Sequence, residues 1–409
     1  MTRTISLALV SSLLLCGTAA AQQARFDDVV RNLRNPDPKV RLNAVRLLRE
    51  SKYPEAAAPV AALLADPVDE IQLEAIGAEL SLFLVNDIPA KKRVALVVEV
   101  RNGGQAQAAF DMGPMGVWPH PAQPELVRGL LQAVNDENGK VRIEAIYALG
   151  TIARAPFPDD LTPLLIKALD HYDPAVRAAA ARVTGRLQVK TAGDQLIKAM
   201  NDSNRDVRYA AMRALGDLRE ERAVEAIAEQ LSFYGKGEGA WTALDALARI
   251  GHVSSVPLFK ARLTDKDPYL RRAAAEGLAR SGDRSEIPAL EVAAGNDSSD
   301  MVRASMAFAM QKLGRHYLGR LVEFLDSPKT AAQAAGYFLE LGPSIVPDLA
   351  PLLQDPSPVI RANLAQVLGE LGGPVSVAAL QPLTEDRDHD VAQSAAQALE
   401  RLKLVRPQP

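Results

Sequence analysis

Val207, Ala210, Ala211, Ala214 and Leu215 fall at i, i+3, i+4, i+7 and i+8, one apolar face of an amphipathic helix. Asp202, Ser203 and Asn204 offer capping oxygens upstream, and Gly216 is placed to end the helix in the left-handed conformation. Three alanines on that face leave room for another helix to approach closely. The pattern then recurs. The apolar residue opening each such helix falls at Val40, Ile71, Val141, Val176, Val207, near Ala240, at Leu270, Val302, near Ala331, at Ile360 and Val391. These steps cluster near a period of about 31 residues, apart from one double-length step after Ile71.

Shorter apolar stretches lie between them, predicting second helices at 125–134, 161–169, 194–200, 223–231, 256–263, 286–292, 317–325, 345–353 and 375–383. Several carry a proline in or near the first turn (Pro163, Pro257, Pro288, Pro347), where its missing N–H costs nothing. Two helices per period, repeated far more than the ~3 times a stack needs, predict an all-α solenoid, an α-α superhelix of about eleven repeats. Residues 22–36 read as an N-terminal capping helix, 37–85 and 125–403 as repeats, 86–124 as an irregular insertion and 404–409 as a disordered tail.

The phrase Asp-x-x-Val-Arg-x-x-Ala-x-x-x-Leu-Gly, seen around Asp173–Arg177, Asp206–Arg208, Asp267–Arg271 and Pro358–Arg361, is similar to HEAT repeats of the short kind first associated with phycobilisome lyases. The resemblance covers roughly residues 25 to 403. It implies a HEAT/ARM-type fold and, because such arrays are mostly binding scaffolds, a non-catalytic role; fold alone says little about chemistry. It also implies a role for the arginine that follows the opening apolar residue. Arg41, Arg142, Arg177, Arg208, Arg271, Arg303 and Arg361 share that place. In such families this column forms a hydrogen-bonded ladder with nearby aspartates, here Asp173, Asp206 and Asp267, and a planar guanidinium suits bidentate pairing.

Composition narrows the partner. Across 409 residues, 47 basic side chains face 50 acidic ones, which gives no positive field on the scale of a nucleic acid. Aromatics at 5% disfavour a stacking groove for envelope polysaccharide. At the N-terminus Arg3, the apolar run Ile5–Leu15 and Ala19-x-Ala21 form a secretory signal, cleaved after Ala21 and too short to span a membrane. A lipoprotein reading through Cys16 ranks second, because Leu15 is bulkier than such processing sites take. Cleavage removes Cys16, the one cysteine, so the mature chain, periplasmic or secreted, is stabilised without disulfides and has no transmembrane segment.

Two stretches break the template. Within 86–124, Lys91–Arg101 reads as a helix although its valines admit a strand, and a glycine- and proline-rich loop follows. There Phe110, Met112, Met115, Trp118 and His120 either meet a partner or fold back to cap a groove between misfitting repeats. At 233–241 the Val-Arg signature is lost, and Tyr234 and Trp241 either line a ligand site or fill core volume. No metal-ligand spacing, Walker loop or nucleophile elbow is present, and the five histidines are scattered. The expectation is therefore no catalytic residue, no metal and no cofactor. A monomeric, exported adaptor would hold a protein or peptide on a concave row of second helices and on its irregular loops. The rival is a lyase-like or chaperone-like accessory of an enzyme, handling a small ligand.

Overall fold

The computed structural model describes residues 26–86, 104–154 and 157–405, so the signal segment, Cys16 and the stretch Lys91–Arg101 lie outside the described residues. Every element is helical, and the only β pairing among the described residues is an isolated bridge between Leu84 and Val117. No described helix is long and apolar enough to cross a membrane. The chain divides into two units. One runs to Val117 and resumes at Pro121–Arg154; the other takes Trp118–His120 and everything from Ala155 onward.

In the first unit the first helices are Pro38–Ser51, Asp69–Phe83 and Gly139–Ile152. In the second they are Pro174–Arg186, Arg205–Leu218, Gly237–Ile250, Pro268–Ser281, Asp300–Lys312, Ala331–Leu341, Pro358–Leu371 and His389–Val405. The last of these carries residues 404 and 405, expected in the tail, in its final turn, and 406–409 lie outside the described residues. Second helices follow at 193–199, 224–234, 256–262 and onward, many entered through a 3-10 turn that prolines or caps fix in place. The short N-terminal helix runs over 26–32.

Side-chain caps start many of the first helices. Asp37, Asn138, Asp173, Asn204 and Asp267 accept from the N–H two residues on, each at 2.8–2.9 Å, which satisfies donors the helix cannot. Asp206, which follows the cap Asn204, lies within the first turn. Gly216 does not end its helix. The helix continues to Leu218 and is capped by Arg219 in the left-handed region, φ 53°. What Gly216 supplies is space, because a Cβ there would stand 3.0 Å from the Ala246 Cα. Gly185 and Gly369 are in the same register, 2.8 Å and 2.9 Å from the Cα of Ala214 and Ala398. Glycine against alanine draws successive first helices together, and in the second unit most first helices pack chiefly on the next. The exception is Ala331–Leu341, which packs lightly on both neighbours.

One core position is anomalous. Eight residues after the opening residue, five repeats bury a leucine (Leu48, Leu149, Leu215, Leu278 and Leu368); the second repeat places Glu79 there, fully buried. Both carboxyl oxygens lack a hydrogen-bond partner among the described residues, and burial pushes the group up to about 8.

Gly216→Val should cost about 1–3 kcal/mol by overpacking, read as a lowered Tm, because the opposing atom is backbone and does not yield. Because the folded state raises the Glu79 pKa, its contribution is complete below about 4.5 and lost as pH rises to about 8, at most about 1.4 kcal/mol per pH unit. Glu79→Leu should raise Tm at neutral pH and flatten that slope; an unchanged pH profile would show that the carboxyl is not the source.

Candidate functional site

Two sets of charged side chains run along the repeats, one at the edge and one on the inner face. At the edge Arg41, Arg177, Arg271 and Arg361 each donate through Nε and Nη2 to one aspartate, Asp66, Asp202, Asp297 and Asp386 respectively, at 2.6–3.0 Å. Nη1 of the same guanidinium donates to the two carbonyls of the turn preceding its helix, as Arg177 does to His171 and Tyr172. The partner thus lies 25 or 26 residues downstream, after the second helix, and not just upstream as expected. Asp173 is a cap instead, because its Oδ1 is committed to the Ala175 N–H. Each downstream aspartate also accepts a backbone N–H of its own turn, as Asp202 does from Asn204. Burial opposes ionisation of Asp202 and Asp297, but Arg177 and Arg271 outweigh it and hold both carboxyls below the usual range.

The irregular stretch at 233–241 belongs to this edge. Arg208, which lacks an aspartate at that spacing, donates through Nε to the Tyr234 hydroxyl at 3.0 Å. In the next repeat Trp241 stands where the arginine would, and its Nε1–H donates to Asp267 Oδ2 at 2.6 Å. The indole also stacks on Tyr269 with ring centroids 4.4 Å apart. Asp267 therefore both caps its helix and closes a rung. Arg142 donates to the carbonyls of Asp136 and Glu137 at 2.9 Å. Arg303 donates to the Asp297 carbonyl at 3.1 Å and pairs with Asp300 on its own helix.

The insertion residues are dispersed. Phe110, in the last turn of the helix Gln105–Met112, is buried, its ring tilted against Tyr147 at 5.4 Å. Met112 is exposed, while Met115 and His120 are half-buried. Trp118 lies beneath the Arg401 guanidinium, 5.8 Å from the ring centroid. No group of three or more histidine, cysteine or acidic side chains among the described residues is arranged to hold a metal.

The inner face of the second unit holds a cleft of about 550 Å³. It is lined by first helices, with Asp217, Arg219 and Arg249 on one side, Arg272, Glu276 and Arg280 in the floor, and Ala332, Gln333, Gly336, Tyr337 and Glu340 opposite. Arg280 donates to Glu340 at 2.8–3.1 Å and Tyr337 to Glu276 at 2.6 Å, joining helices two repeats apart. Such helices meet only on the inside of a curve. Here the concave side is the row of first helices, not the second helices expected from the sequence. The light packing of Ala331–Leu341 on its neighbours lets it lean across to the Pro268–Ser281 helix.

Charge in the cleft is woven into a network. Arg249 joins Asp217 and Asp245; Arg272 joins Asp245 at 2.8 Å and Glu276 at 2.7 Å; Arg280 joins Glu276 at 3.0 Å; Lys312 joins Glu340 at 3.2 Å. Burial pushes the Asp245 carboxyl up, but Arg249 and Arg272 overcome it and hold the group well below the usual range. Burial and the facing Glu276 drive the Tyr337 hydroxyl well above its ordinary range, so it stays a hydrogen-bond donor. Beneath it Tyr337 stacks on Phe308 at 4.3 Å, and Arg280 covers the same Phe308 ring at 5.4 Å. No motif in the sequence marks this site. Its members lie on four helices, and only their recurrence on the face beside each apolar stripe hints at it.

A family model for HEAT repeats matches residues 162–232, 236–311 and 320–400, more than half of the chain, and the chain belongs to that family. No curated protein matches it. Among solved structures it is similar to an engineered protein at 19% identity (92% of this chain, 98% of that one, TM-score 0.38). It is also similar to the complex of CpcE and CpcF of phycocyanin lyase from Nostoc sp. PCC7120 at 21% identity (61% and 99%, TM-score 0.40).

The edge ladder carries an acid-side prediction. Asp202 has a lowered pKa, so its contribution is present above the ordinary carboxylate range and lost as pH falls through the lowered value. Asp202→Asn should cost about 1–2 kcal/mol at pH 7, by loss of the charged rung to Arg177, and much less at the acid end of the stability curve. Equal cost at both ends would assign the residue to packing rather than charge.

Proposed function

We propose that this HEAT-repeat chain is a non-catalytic, exported scaffold that holds a protein or peptide segment in the cleft on the inner face of its second unit. The observation that carries the reading is the placement of Ala331–Leu341. This helix gives up packing on its neighbours and turns Ala332 and Gly336 toward open space; a Cβ on Gly336 would meet no atom within 4 Å. Opposite stands a charged wall whose geometry is fixed by ion pairs before any ligand arrives, so binding costs little ordering. The buried carboxylates are occupied by guanidinium groups and Tyr337, an arrangement that holds the cleft's shape and leaves no evident general acid or base at its mouth. Export rests on Arg3, the run Ile5–Leu15 and the Ala19-x-Ala21 pattern. A rigid concave surface of this kind suits many modest contacts with an extended chain.

A compact aliphatic diazirine amino acid, far smaller than an indole and so leaving the cleft open, placed at Gly336 tests the assignment. Gly319, on the second helix Leu318–Glu323, is equally unobstructed and serves as control. Illumination of the source extract should give a discrete adduct from position 336 and none from 319. The same adduct from both positions, or from 319 alone, would move the binding surface off the inner face.

A further inference from the structure

The chemical class of the bound segment can be read from which charges in the cleft are already spent. Among its carboxylates, Glu276 is buried and accepts from Arg272, Arg280 and Tyr337, and Glu340 is held by Arg280 and Lys312. Asp217 at the rim pairs with Arg249. The positive side is not balanced in the same way. Arg219 lines the cleft, is exposed, and its side chain has no hydrogen-bond or ion-pair partner among the described residues. Arg249 keeps 47% of its side chain exposed although it joins two aspartates. The groups left unspent at the mouth are therefore guanidinium donors: Arg219 carries an unpaired charge, and Arg249, whose charge two aspartates meet through Nε and Nη1, keeps Nη2 as a donor, in a chain whose net charge is −3.

Two further features give the ligand its shape. The cleft lining is nearly side-chain-free at Ala332 and Gly336, which lets a main chain lie close. The Gln333 side chain, whose Nε2 donates to the Met301 carbonyl at 2.9 Å and to the Tyr337 hydroxyl at 2.6 Å, keeps its carbonyl oxygen as an acceptor for a ligand N–H. Small residues on one side and guanidinium groups on the other suit an extended acidic strand better than a compact ion. We infer that the cleft takes an extended peptide segment rich in aspartate or glutamate, its carboxylates on Arg219 and Arg249 and its backbone along Ala332 and Gly336. This rests on the reading of the inner face as the binding surface and narrows it to one partner chemistry.

The test titrates the full mature chain with fluorescent oligoglutamate, oligolysine and glycine–serine peptides at low salt. Two variants accompany it. Arg219→Asn removes the charge while suiting the left-handed backbone at φ 53°. Gly336→Trp fills open space and gains helix propensity, so a fold kept by circular dichroism is expected. Oligoglutamate should bind, weaken about fivefold in Arg219→Asn and with added salt, and be lost in Gly336→Trp. Absence of oligoglutamate binding, equal or tighter binding of oligolysine, or indifference to both substitutions would overturn the inference. So would displacement by heparin at far lower concentration than by glutamate peptide, which would point to a sulfated polymer. An adduct at position 336 together with no oligoglutamate binding would discard only the acidic class; absence of both would discard the inner-face reading as well.

Discussion

Backbone-to-backbone proximity between successive first helices is the constraint on which this protein depends. Gly185, Gly216 and Gly369 bring the next helix so near that a single Cβ would touch its Cα. With alanine on the other side, dispersion between main chains replaces much of the contact that bulky side chains give elsewhere. Such a joint is short-range and unforgiving. It explains why aromatics are scarce, and why polar side chains at the margins can bridge from one repeat to the next with fixed spacing.

Those margins do different work. At the edge, a guanidinium ties the preceding turn to the following one, so each rung fixes the start of one repeat relative to the start of the next. The ladder tolerates chemical substitution provided the reach is kept, since Tyr234 replaces an aspartate and Trp241 an arginine. On the inner face the bridges are longer, and one spans two repeats from Arg280 to Glu340. Where this longer bridge takes over from first-helix packing, the array opens a cleft.

Helix count, type and approximate bounds were legible because they depend on periodicity within about fifteen residues, which the alanine faces display openly. The recurring shape of the rungs was legible only in half. Arg177 is visible in the sequence and Asp173 is its nearest acid there, but chain reversal through the second helix brings Asp202 into place. Gly216 misled for a related reason, since glycine near a helix end signals a cap, and only the neighbouring Ala246 shows that it is there for clearance. Glu79 was hidden because its register sets it in a leucine column although its type belongs on a surface. The cleft was least legible of all. Its residues span Asp217 to Glu340, and which helix row turns inward is a property of the stack.

The exchange of an arginine for Trp241 has an optical consequence. The chain has two tryptophans, and each is held in a distinct polar setting: Trp241 by Asp267 and the Tyr269 ring, Trp118 by the Arg401 guanidinium. An indole N–H bound to a carboxylate and a ring under a cation differ in the field they experience. Emission from one therefore reports on a rung in the middle of the array and from the other on its last helix. The protein carries native probes at two points along its length, so sequential and concerted opening of the repeats are distinguishable without a label.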